Sequence, residues 1–245
     1  MSELQQKSEE STIRPGEKRQ KSEDLIDRIV TRLEEDIVFG RLHPRERLVE
    51  EDIALRFDAK RHVVRQALVK LESLGLVDRH PNRGAVVRLY TAKQVEDINA
   101  VRELLESRAA SLVPLPLPPK ALALLDTLQK RHHEAVLAGD GYTVFRANID
   151  FHQTLFSFCG NDALIEAINT FAQKSHAYRH IFVNDRSYLL WAAEDHARIV
   201  AAAKAGDREA FVEHCRNHLA PAKNFYVETY RSRFAEPHEN DNGTN

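Results

Sequence analysis

RLVEEDIALRFDAKRHVVRQALVKLESLGLVDRHPNRGAVVRLY, residues 47–90, is the stretch whose reading decides the fold. Its apolar spacing predicts a short helix over Glu50–Phe57 with Ile53 and Phe57 inward. A second helix follows over Lys60–Leu74, with Val64, Leu68 and Leu71 on one face and Arg61 and Arg65 elsewhere. Gly75 stops that helix, and Leu76–Arg79 and Ala85–Leu89 read as strands around the turn-rich tip His80-Pro81-Asn82-Arg83-Gly84. Between Lys60 and Tyr90 stand seven Lys/Arg against two acids, Glu72 and Asp78, in a chain whose net charge is only −2. A local basic region on a nearly neutral protein is the footprint of a nucleic-acid-binding module.

The order of elements is that of a winged helix-turn-helix, whose second helix enters the major groove by its N-terminal end. Arg61 and Arg65 are four apart and share a helix face, so their guanidinium forks can reach guanine O6 and N7 or clamp phosphates. His62 stands beside them. Arg83 at the tip reaches toward a minor groove or the backbone, and Gly84 permits close approach. Isolated arginines would better suit a solvated surface; it is the combination of helix pair, helix start and hairpin tip that points to double-stranded DNA.

Working outward, residues 1–20 are polar and unpatterned and read as a disordered tail. From Ser22, the apolar positions Leu25, Ile29, Leu33 and Ile37 predict a helix that Gly40 stops, so 21–90 forms the winged domain. After Thr91 the strand signals vanish. Ala92–Leu112 reads as a helix, VPLPLPPK (113–120) as a break, and helical stretches follow at about 119–138, 142–158, 162–182, 187–205 and 208–232. The fold class is therefore mainly α: a winged helix-turn-helix followed by an all-α bundle over 91–234, with 235–245 a second disordered tail. A chain of 245 residues with 42% hydrophobic residues supports this two-domain core. Cys159 and Cys215 form no CxxC pattern and read as small core residues of a reducing compartment. With no signal peptide and no membrane-length apolar run, the expected location is the cytoplasm.

Three helices of the second half carry histidines expected to face inward: His152 with Asn148 one turn before it, His196 in line with Ala192, Ile199 and Ala203, and His218 in line with Phe211, Ala222 and Phe225. Imidazoles converging from three helices suit a transition metal. Spacing alone favours three satisfied core histidines, since no HExxH signature is present; His214 and His218 are also four apart. His214 fits the interior and the solvated edge equally. An enzyme would need a general base beside a metal-bound water; Glu194 and Asp195 are near His196 but are expected on other helix faces. An effector-independent DNA binder would need no inward polar residues at all.

Residues 33–88 resemble the DNA-binding domain of the GntR family of bacterial transcription regulators. The resemblance rests on Gly40-Arg41-Leu42, Pro44, Glu46-Arg47-Leu48, Glu50, Ile53-Ala54, Arg61, Val64-Arg65, Ala67-Leu68, Leu71-Glu72, Gly75-Leu76-Val77, Asn82-Arg83-Gly84-Ala85 and Val87. It implies operator contacts from Arg61, Arg65 and the Arg83-Gly84 wing, and a homodimer on a palindromic operator. Residues 60, 62, 63, 66 and 45 depart from the family pattern, and Asp58 is expected to take over the cap of the recognition helix. Residues 92–232 are similar to the helical FCD sensor domain of FadR-like members, through VRELLESRAA (101–110), NIDFH (148–152), DHARIVAAAKAGD (195–207) and NHLA (217–220). That likeness implies a divalent transition metal, zinc or nickel, held by Asn148, His152, His196 and His218, and a small organic-acid effector whose carboxylate meets Arg102. A surface ion pair with a neighbouring helix is an equal reading of Arg102. Asn148 replaces the common Asp, which makes the site more positive. Tyr178 and Arg179 are further effector candidates, for which a solvated helix face is an equal reading.

Overall fold

Helix α1 (Pro15–Val38) buries Ile29, Leu33 and Ile37 against helix α3 (Arg61–Ser73), whose own inner face is Val63, Val64, Ala67, Leu68 and Leu71. The computed structural model of the protein describes residues 15–80 and 84–234, so the expected tails over 1–14 and 235–245, and the wing residue Arg83, lie outside the described residues. The first helix begins at Pro15, where the sequence reading placed an unpatterned tail up to residue 20.

Helix α2 (Glu50–Phe57) buries Ile53 and Phe57, as its spacing predicts. Asp58 does not cap α3. It ends α2 in the left-handed conformation (φ 47°), its N–H returning to the Ala54 and Leu55 carbonyls. The residue before α3 is Lys60, which makes no side-chain cap. A cap must sit next to the first turn it serves, and Ala59 and Lys60 separate Asp58 from it. The wing is strand β2 (Val77–His80) against strand β3 (Gly84–Val87), paired from Val77↔Val87 to His80↔Gly84. A further strand, β1 (Arg47–Leu48), escaped the sequence reading because two residues carry no alternation. It pairs with β3 (Arg47↔Val86, Leu48↔Ala85), giving the order β1-β3-β2.

The helical half comprises α4 (Ala92–Leu112), α5 (Pro119–Ala138), α6 (Gly141–Ser157), α7 (Asp162–Lys174), a 3₁₀ helix (Ser175–Ile181), α8 (Arg186–Ala205), α9 (Arg208–Asn217) and α10 (Ala220–Phe234). Thr91 opens α4 with a capping box, accepting from the Gln94 N–H while the Gln94 side chain accepts from its own N–H. Two expected helices are broken. The stretch 162–182 changes to 3₁₀ at Ser175, and 208–232 stops at Asn217. Pro221 explains the second break, since it lacks an N–H and its ring collides with the carbonyl four residues back. His218 and Leu219 therefore form a turn between α9 and α10, and Phe225, expected inward beside His218, is exposed.

One core fills the bundle around Leu125, Phe151, Leu155, Ile199, Ala203 and Phe211. Another joins the two halves: Ile29, Leu33, Val64 and Leu71 of the winged domain share it with Tyr178 and Phe182 of the 3₁₀ region and Tyr226 of α10. Helix α10 is tied here by the Tyr226 hydroxyl, which donates to the Tyr90 carbonyl at 2.7 Å.

Candidate functional site

At the winged end, Arg61 and Arg65 both project from the exposed face of α3 with His62 exposed between them. Each is met by a glutamate at the start of α2: Arg61 Nη2 lies 3.1 Å from Glu51 Oε1, and Arg65 Nε donates to Glu50 Oε2 at 2.9 Å. Pairs this exposed contribute about 0–1 kcal/mol, so they orient the guanidiniums without committing them and yield readily to phosphate. Gly84 opens β3 at φ +77°, and a Cβ there would lie 3.0 Å from the Leu48 carbonyl oxygen. Its freedom serves the β1–β3 contact that holds the wing.

The histidines do converge. One ring nitrogen from each of His152, His196 and His218 lies within 4.8 Å of the others, the rings supplied by α6, α8 and the α9–α10 turn. His152 Nε2 and His196 Nε2 are 3.2 Å apart, while the Nδ1 atoms of both rings are enclosed without a partner. Burial, as the largest cause, pushes both imidazoles well below their usual pKa of 6.5. They are therefore neutral near pH 7, the form in which imidazole binds a metal. Asn148 is buried one turn before His152 and lines a cavity with it.

Asp195 corrects an expectation. It is buried rather than on a remote face, and its Oδ2 accepts from His218 Nδ1 at 2.8 Å. It is further held by His214 Nδ1 (3.5 Å) and Arg198 Nη1 (3.6 Å). This fixes the His218 ring so that Nε2 faces the cluster, the familiar carboxylate–histidine arrangement behind a metal ligand. Glu194 stays exposed, paired with Arg198. His132 of α5 was missed. It is 1% exposed, its ring centroid is 4.7 Å from that of His196, and burial pushes its pKa down to about 4. Its signal was available: Leu125, Gln129, His132 and Val136 recur at helical spacing, and all four are buried.

Arg102 does not pair with a neighbouring helix. Its Nε donates to Glu106 Oε1 at 2.9 Å within α4, Glu106 buried and Arg102 largely so. Arg179 and Tyr178 stand on the 3₁₀ helix, not on a solvated face. Tyr178 is buried and accepts from Asn99 Nδ2 at 3.2 Å. Two small cavities meet here. One, of about 40 Å³, is lined by Arg102, Glu106, Asn148, His152, His176 and Arg179 among others; the second, of about 20 Å³, shares Asn148 and Arg179 and adds His132, Phe145 and Tyr188. The same 3₁₀ helix reaches α1, where His176 Nδ1 and Glu34 Oε1 are 2.7 Å apart, and beside it Arg146 of α6 donates to Glu35 at 2.8 Å. The cavity wall is thus also the seat of the winged domain.

Comparison with known proteins agrees with both halves. The model of the bacterial regulatory proteins of the gntR family matches residues 25–87, and that of the FCD domain matches residues 97–221. The chain is 27% identical over 188 residues to the uncharacterized HTH-type transcriptional regulator YdhC of Bacillus subtilis, covering 76% of this chain and 84% of that one. It is 26% identical over 208 residues to the HTH-type transcriptional regulator McbR of Escherichia coli, covering 84% and 92%. The solved structure of E. coli McbR/YncC superposes with a TM-score of 0.73 at 23% identity, over 84% of this chain and 98% of that one, and shares its fold. These relatives are regulators rather than enzymes, and among the described residues no helix is long and apolar enough to cross a membrane. The chain belongs to the gntR family of bacterial regulatory proteins, with an FCD domain behind its DNA-binding domain, and is a DNA-binding transcriptional regulator.

Proposed function

We propose that this regulator is a cytoplasmic repressor that binds a palindromic operator as a homodimer and responds to a small organic acid through a metal-bearing sensor domain. Two-fold protein symmetry matches two-fold operator symmetry. Arg61, Arg65 and His62 read the major groove from the start of α3, and the Arg83-Gly84 wing grips the adjacent groove or backbone. The observation that carries the sensor reading is the convergence of three imidazoles from three elements beside two largely buried arginines, Arg102 and Arg179. Three imidazoles, a buried amide at Asn148 and a carboxylate behind His218 make a donor set that fits a divalent transition ion, zinc or nickel. Such an ion supplies a Lewis-acid position for an effector carboxylate. Arg102 steers that carboxylate from the other side of the cavity.

An effector changes DNA affinity only by binding two states of the protein unequally. The cavities hold room for roughly one to three waters, so an organic acid enters only if a wall moves. The 3₁₀ helix is the wall that also touches α1.

Two variants separate the two functions. Arg65→Ala weakens operator binding by about 1–3 kcal/mol in a fluorescence-anisotropy titration while the protein keeps its metal. His196→Ala abolishes metal retention, measured by elemental analysis after gel filtration, while the protein still binds operator. Unchanged operator affinity in the first removes Arg65 from the reading set. Full metal content in the second removes the histidine centre from the model.

A further inference from the structure

Among the described residues, Arg179 is the least reconciled charge away from solvent. Its Nε is enclosed without a hydrogen-bond partner, and among the described residues its guanidinium makes no ion pair or hydrogen bond. Its neighbours relieve it only in part: burial and the Arg102 charge oppose its own, Tyr188, Tyr178 and Glu34 favour it without a hydrogen bond, and the Phe145 ring lies 5.6 Å from the guanidinium carbon; the net pKa shift is downward. Burying an uncompensated cation is costly, and proteins seldom keep one without a partner. Arg102, by contrast, already has Glu106. The walls of the two cavities therefore carry two guanidiniums and one carboxylate, before any metal is counted.

A monocarboxylate held between the histidine centre and Arg102 would leave Arg179 as it stands. Arg179 lines both cavities, at the partition between them with Asn148, so a ligand that joins the cavities must pass it. We infer that the effector carries two acidic groups, and that Arg179 binds the second one: the ligand class is a short dicarboxylic acid. The inference rests on the acid-sensor reading above and adds to it a second anion site and a charge requirement. The effector must be short, because both arginines line the one cavity of about 40 Å³. It must also be a dianion at neutral pH, which short dicarboxylic acids are.

Isothermal titration calorimetry of the full-length, metal-loaded protein tests this with succinate and glutarate against butyrate and pentanoate. The dicarboxylates are expected to bind at least roughly tenfold more tightly than the monocarboxylates of equal length, the effect of one charge-assisted, bidentate contact. Arg179→Gln should erase that preference, costing the dicarboxylates at least roughly tenfold in affinity and the monocarboxylates clearly less. Arg179→Lys keeps the charge but loses the fork, and should retain part of the preference. Because Arg179→Gln removes an unpaired buried charge, its ligand-free melting temperature should equal or exceed that of the parent. Equal affinity for both acid classes, or an equal loss for both in Arg179→Gln, overturns the second site and leaves the acid-sensor reading intact. Binding of neither class overturns the acid-sensor reading and this inference with it.

Discussion

At the scale of single residues, Gly84 shows how little room the wing leaves. Its φ of +77° lies where L side chains are strained, and an added Cβ would press on the Leu48 carbonyl at 3.0 Å. Backbone, unlike a flexible side chain, cannot swing aside. Gly84→Ala should therefore lose about 1–2 kcal/mol of stability, read by urea denaturation; a change within 0.5 kcal/mol either way, as at an ordinary surface site, would show that β1 yields freely. The glycine was legible in the sequence as a turn residue, but the strand it accommodates was not, since Arg47–Leu48 is too short for a pattern. The histidine centre was legible because inward spacing survives a break in the helix: His218 is buried although α9 has ended. The carboxylate behind that centre was not legible. Asp195 meets His218 across 23 positions, and helical spacing says nothing about which neighbouring element a given face meets.

At the scale of elements, the 3₁₀ helix Ser175–Ile181 matters most and was the hardest to foresee. Periodicity does not separate 3₁₀ from α over seven residues, so its side chains were assigned to one long helix. The tighter turn sends His176 toward α1 while Arg179 lines the cavities. Burial, the largest influence on His176, holds its pKa below 6.5 despite the opposing pull of Glu34, with Arg179 and Arg102 adding to the lowering. For Glu34, burial raises the pKa, but the His176 hydrogen bond together with the charges of Arg146 and Arg179 outweighs it, and the net shift is below 4.5. In the unfolded chain His176 takes up a proton near pH 6.5, whereas in the folded protein it resists until lower pH. Stability is thus lost as pH falls below about 6.5. The Glu34 contribution has the same sign and is lost further down, as pH falls through its depressed value. His176→Gln should accordingly lose less stability than the parent between pH 7.5 and pH 5.5 in urea denaturation of metal-free protein. Equal losses would place the pH dependence in the other buried histidines.

At the scale of the whole molecule, the winged domain is anchored rather than tethered. Its core runs without interruption from Val64 and Leu71 through Tyr90 to Tyr178, Phe182 and Tyr226. Tyr90 packs edge-on to Tyr178 at 6.0 Å, donates to the Gly75 carbonyl at 3.0 Å and accepts from Tyr226 through its own carbonyl. Two domains with a shared core cannot unfold independently without exposing that surface, at about 25 cal/mol for each Å² of apolar area. The sequence contains a single tryptophan, Trp191, which stacks on His218 with centroids 5.5 Å apart. Its fluorescence therefore reports the helical domain alone, while far-UV circular dichroism reports the helices of both. The two signals should melt together, and a chelator should lower both midpoints by the same amount if the histidine centre holds its ion in the native state only. A dichroism loss that precedes the Trp191 transition would mean that the winged domain detaches first. The cavity wall would then have no rigid contact through which to act on DNA.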